Sequence, residues 1–167
     1  LLEENGAALP ELLTEKERKD LEGPAEQAAL ECITVLKNGQ EQASGLTQAV
    51  LPLDLKKSIF VSGPTAHSLN ALNGGWSGTW QGRDEAYNTP GRLTALEALR
   101  EEWGAERVAF EGLASMDFSA KDIARVVREL NRSQPQAAVL CLGEMPYTEV
   151  VGNIGDLRLP DNQLDLV

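Results

Sequence analysis

The run Ala137-Ala138-Val139-Leu140-Cys141-Leu142, stopped by Pro135 on one side and Gly143 on the other, constrains the fold more than any other stretch of this chain. It is apolar without alternation and too short to stand as a helix, so it reads as a strand buried on both faces. A second strand is expected over Lys56-Lys57-Ser58-Ile59-Phe60-Val61-Ser62, closed by Gly63-Pro64 as at a strand-to-helix turn. Between them the spacing predicts a helix over 94–104, a short strand over 107–110 and a helix over 120–132, with Ile123, Val126, Val127 and Leu130 on one stripe. Strands alternating with helices predict an α/β fold, a mainly parallel sheet flanked by helices with right-handed crossovers. Three strands leave a sheet edge open, which another segment or chain is expected to cover.

Upstream, residues 1–23 are polar and contain Pro10, and they read as an interdomain linker plus a leading helix over 12–21. Pro24 suits a first helical turn, so a second helix is expected over 24–36, stopping near Asn38-Gly39, with loop over 40–48. Residues 24–167 then form the α/β domain. Cys32 and Cys141 both lie in apolar segments far apart in sequence, which favours two buried free thiols over a disulfide framework. With 26 acidic against 15 basic residues the formal net charge is −11, which argues against nucleic acid or anionic membrane as partner. No apolar run approaches the about 18 residues of a membrane span.

Two loops carry the candidate chemistry. Gly143-Glu144-Met145-Pro146-Tyr147-Thr148-Glu149 sets two carboxylates and a tyrosine directly after a strand, where ligands gather in open α/β sheets. Asn73-Gly74-Gly75-Trp76-Ser77-Gly78-Thr79-Trp80-Gln81-Gly82 places two tryptophans among glycines. Their flat faces suit sugar rings, and they would equally well cap the edge of a core. Trp103, at the end of a helical stretch beside Gly104, reads as packing. His67 is the sole histidine, has no serine or cysteine nucleophile motif beside it and defines no metal site, so it reads as a structural residue. No Gly-x-Gly-x-x-Gly follows the strand at Ile59, so a dinucleotide site is weak.

These segments, in their order, resemble the second domain of family-3 glycoside hydrolases, the β-glucosidases and exo-β-glucanases. The resemblance begins with Ala28-Ala29-Leu30-Glu31-Cys32-Ile33-Thr34-Val35-Leu36-Lys37-Asn38 and runs through Leu51-Pro52-Leu53 and Ser58-Ile59-Phe60-Val61-Ser62-Gly63. It continues through the tryptophan loop, Leu96-Glu97-Ala98-Leu99, the Gly-Glu-x-Pro-Tyr-x-Glu loop, and Leu159-Pro160 with Gln163-Leu164. The resemblance implies a partial second domain, lacking its last strand-helix units, within a periplasmic or secreted protein.

Retaining glycosidases use two carboxyl groups about 5–5.5 Å apart, one as nucleophile and one as acid/base. The resemblance implies Glu149 as the acid/base and Trp80 as a sugar-stacking ring, with Trp76 at the rim or beneath. Tyr147 and Arg83 read as polar neighbours of the sugar or as ordinary loop residues, and Glu144, at the strand end, as a supporting substrate-binding residue with the acid role as its alternative. The nucleophile aspartate belongs to a (β/α)8 barrel, and no Ser-Asp-Trp motif occurs in these residues, so that barrel is an implied partner alongside a β-glucoside or β-glucan substrate. No metal or organic cofactor is implied. His67 departs from the family, which often has an aspartate near that point, and this puts in doubt any role of that aspartate in holding the tryptophan loop. A non-catalytic sugar-binding or interaction module is the rival reading. A flavodoxin-like nucleotide domain is a weaker one, against which the acidity and the missing phosphate loop both count.

Overall fold

The computed structural model describes residues 14–39 and 49–167, which divide into two units, Leu1–Pro52 and Leu53–Val167. The second unit contains a three-stranded parallel sheet of β1 (Ile59–Gly63), β2 (Val108–Gly112) and β3 (Ala137–Leu140). The strand order is β2-β1-β3. In register, Ile59 lies opposite Val108 on one side and Ala137 on the other. All five residues of β1 are buried, as its central position and unbroken apolar character require.

Alternation along β1 sends successive side chains into two different cores. Ile59 and Val61 join Ala66, Leu96 and Val108 on one face, backed by Leu99, Trp103 and Phe110. Phe60 joins Leu113, Phe118 and Val126 on the other, backed by Ile123 and Leu130. The helices α2 (Ala95–Trp103) and α3 (Ala120–Ser133) supply those two faces. The chain steps from β1 to β2 in one direction and from β2 past β1 to β3 in the other. Crossovers of one hand therefore lay α2 and α3 on opposite faces of the sheet.

The helix and strand positions expected in this unit hold to within a few residues. Thr94 caps α2, accepting from the Glu97 amide at 3.3 Å while its own N–H and hydroxyl donate to the Glu97 carboxylate, each at 2.8 Å. Of the expected α3 stripe, Ile123, Val126 and Leu130 pack, whereas Val127 is half exposed. Strand β3 differs from expectation, because Ala138 is exposed and its other residues are only half buried. Among the described residues it is an edge strand with β1 as its single partner, and burial on both faces depends on sheet position, which an apolar run does not encode.

In the first unit, α1 is one helix, Glu15–Cys32, running through Pro24, where two helices were expected. Thr14 caps it in a reciprocal box with Glu17. It stops at Cys32 rather than continuing to Leu36, with Ile33 extended at φ −76° and ψ 117°. The β-branched succession Ile33-Thr34-Val35 is a poor helix continuation. Residues 1–13 of the linker and helix expected over 1–23, and the loop expected over 40–48, lie outside the described residues. Both cysteines are free, as expected, but Cys32 is exposed and Cys141 only partly buried. Burial pushes the Cys141 thiol upward in pKa. No described helix is long and apolar enough to cross a membrane.

Candidate functional site

The carboxyl ends of β1 and β3 are neighbours, at the point where the direction of chain connection reverses. Crevices form at such points. The tryptophan loop follows β1 and the acidic loop follows β3, so the sheet itself places the two candidate loops side by side.

Three nearly consecutive side chains of the tryptophan loop reach the acidic loop. Trp80 Nε1 donates to Glu149 Oε2 at 2.8 Å. Gln81 pairs with the backbone of Thr148, its Nε2 donating to the carbonyl at 3.2 Å and its Oε1 accepting from the amide at 3.0 Å. Arg83 Nε donates to the Pro146 carbonyl at 2.6 Å. Two residues without side chains allow this closeness, Gly75 between the loops and Gly82 within the tryptophan loop. A Cβ on Gly75 would lie 2.5 Å from Thr148 Cβ, and one on Gly82, at φ +71°, would lie 2.1 Å from the Gly74 carbonyl oxygen.

The acidic loop is also pinned at its root. Gln163, fully buried on the short helix α5 (Asp161–Leu164), pairs with Gly143, accepting from its amide at 2.9 Å and donating to its carbonyl at 2.7 Å. A glutamine amide therefore clamps each end of the loop. Inside it, Tyr147 Oη donates to Glu144 Oε2 at 2.7 Å. That bond to a carboxylate is the main reason the phenol is pushed up in pKa, so Tyr147 stays a donor.

Glu149 opens α4 (Glu149–Gly152) with φ +50°, a left-handed conformation that costs a non-glycine residue about 1–2 kcal/mol. Glu149 is exposed, Trp80 is 46% exposed and Trp76 is 63% exposed. Neither ring is closed into a core, and Trp80 keeps nearly half of its surface exposed while its N–H binds the carboxylate. A hydrogen bond contributes about 0.5–1.5 kcal/mol net, no more than the side-chain entropy lost on fixing a glutamate, up to about 2 kcal/mol. The indole bond alone does not hold the carboxylate. The backbone beneath it must already point the right way.

A cleft of about 240 Å³ opens beside these groups, lined by Arg83, Glu144, Tyr147 and Gln163 among others. It is smaller than the roughly 300 Å³ at which ligand pockets usually begin, and Trp80 and Glu149 do not line it. The candidate pair thus forms an open lip and Glu144 and Tyr147 a shallow hollow next to it.

His67 stands apart from this group. Its Nδ1 lies 3.0 Å from Thr94 Oγ1 at the cap of α2, and its ring meets Phe110 edge-on. Trp103 packs against the core. Among the described residues no group of three or more histidine, cysteine, aspartate or glutamate side chains is arranged to hold a metal. Sequence reasoning selected Trp80 and Glu149, and the structure joins them. It missed Gln81, whose partner lies 67 positions away, and it noted Gln163 only as part of the family resemblance. Glutamine carries no signature for such work, and the one cue was its place between Trp80 and Gly82.

No protein-family model matches the chain. A lysosomal β-glucosidase of Dictyostelium discoideum is 29% identical over 153 residues, which is 86% of this chain and 17% of that protein. The structure of a β-glucosidase from Listeria innocua in complex with glucose superposes with a TM-score of 0.65 at 25% identity, covering 95% of this chain and 19% of that one. An exo-1,3/1,4-β-glucanase from a Pseudoalteromonas species shares the fold with a TM-score of 0.53 at 24% identity, over 78% of this chain and 14% of that one. The chain therefore spans less than a fifth of each of these proteins. In its parallel α/β sheet and along most of its length the chain is thus similar to a part of these β-glucosidases, in line with the resemblance to family-3 glycoside hydrolases.

Proposed function

We propose that this segment supplies the acid/base carboxylate and an aromatic sugar platform to a retaining, exo-acting β-glucosidase or β-glucanase. Its substrate would be a terminal, non-reducing β-D-glucosyl residue, and the nucleophile aspartate would come from a (β/α)8 barrel in the same polypeptide or another chain. In this reading residues 1–23 lead in from that partner, and 24–167 form the α/β domain. The observation that carries the reading is the 2.8 Å bond from Trp80 Nε1 to Glu149, which unites the proposed proton-transfer group with a half-exposed aromatic ring. The likeness to β-glucosidases supports it.

In the first step the barrel aspartate attacks the anomeric carbon. The bond to the leaving oxygen breaks as Glu149 gives that oxygen its proton. In the second, Glu149 takes a proton from water, whose oxygen attacks the anomeric carbon and displaces the aspartate. Trp80 would stack on the sugar of the leaving-group subsite, with Trp76 at the rim. Tyr147 and Glu144 would bind its hydroxyls from the adjoining hollow.

The test is Glu149→Gln in the complete enzyme, assayed on an aryl β-glucoside. Turnover should fall roughly 10²–10⁴-fold with glucoside affinity retained. Unchanged turnover removes Glu149 from the mechanism. A complete protein that binds glucosides without turnover would instead make this a carbohydrate-binding module.

A further inference from the structure

We propose that Gln81 is a positioning residue for the acid/base group, acting on Glu149 through the backbone of Thr148. The proposal rests on the reading of Glu149 as acid/base. A single planar amide meets both the N–H and the carbonyl of Thr148, so it fixes the two peptide planes on either side of that residue. The second of these planes ends at the nitrogen of Glu149. Glu149 then turns away at φ +50°, and the direction of its side chain follows from the plane that Gln81 holds.

Two further observations make this more than a loop contact. Among the described residues no other acceptor meets the Thr148 amide. Trp80, the covalent neighbour of Gln81, donates to the Glu149 carboxylate itself. The ring that would carry the sugar and the amide that orients the acid are thus consecutive residues of one loop. A shift of that loop moves platform and proton donor together, keeping their relative geometry. Arg83 on Pro146 fixes the acidic loop two residues upstream of the clamp.

The experiment compares Gln81→Ala with the parent in the complete enzyme, on two glucosides of opposite demand. A phenyl β-glucoside needs its leaving oxygen protonated, whereas a dinitrophenyl β-glucoside departs without help, and kcat/KM reports that bond-breaking step. A misplaced acid predicts a loss of about 100-fold on the phenyl substrate and only a few-fold on the dinitrophenyl one. Equal losses on both, or none on either, overturn the proposal. Glu149→Gln is run beside it. If that variant lacks the split between substrates, the acid/base reading fails; if it shows the split and Gln81→Ala does not, Gln81 alone is excluded.

Should Gln81→Ala not fold, Gln81→Glu decides, because it keeps the acceptor and removes the donor. It should show the same split at smaller size, and a parental profile overturns the proposal. Hydrogen exchange at the Thr148 amide gives a readout independent of turnover. Protection is expected in the parent and in Gln81→Glu, and an amide that exchanges freely in the parent contradicts the clamp.

Discussion

Trp80 combines a half-exposed aromatic ring with an N–H bonded to Glu149, and substitution separates the two. Trp80→Phe keeps a face and deletes the donor. Affinity for a glucoside should stay within a few-fold, while kcat/KM on a phenyl glucoside should fall about tenfold, the equivalent of one hydrogen bond of about 1.4 kcal/mol. Trp80→Ala should lose both, and steady-state kinetics on the pair of variants checks the division. Gly75 makes a packing demand instead. A methyl group there meets Thr148 at 2.5 Å, so Gly75→Ala should destabilise by about 1–3 kcal/mol as overpacking does, measured by urea unfolding. At this scale the sequence was readable where a residue type advertises its chemistry, as with Trp80 and Glu149. It was silent where a neutral amide binds backbone, as with Gln81 and Gln163.

At the level of elements, α2 owes its start to Thr94 and Glu97, and the same pair makes it acid-sensitive. Hydrogen bonds from the Thr94 backbone and then its hydroxyl hold the Glu97 carboxyl below the usual carboxylate range. A carboxyl depressed in the folded state gives stability that is present above its unfolded pKa and is lost as pH falls through the folded one. Glu97→Gln should therefore flatten the fall in stability on acidification and lower stability at neutral pH. Urea midpoints at neutral and acidic pH check both signs. The cap and stripe that set α2 and α3 are local, and so they were legible. The half-exposed state of β3 and the unbroken course of α1 through Pro24 were not, because the first depends on which strands lie alongside. The second depends on helix formers on both sides of the proline outweighing its cost of about 3 kcal/mol.

For the whole molecule, the two loops of the candidate site spring from neighbouring strands of one sheet, while their proposed reaction partner lies on a barrel outside these residues. The 167-residue chain alone should therefore show no turnover of an aryl β-glucoside, and turnover by the purified chain at the rate of a complete enzyme would refute the shared-site reading. The architecture itself was legible because an α/β alternation with reversed connections leaves few arrangements.

A third glutamine repeats the clamp, Gln136 pairing with the amide and the carbonyl of Asp54 at 3.1 and 2.7 Å, so that three long-range loop closures rest on one side-chain type. Glutamine and glutamate codons differ by a single base. A single-base change at Gln81, Gln136 or Gln163 can thus turn an N–H facing a carbonyl into an anion facing it. Purifying selection on this chain should therefore act against a change that any exchange table would score as mild.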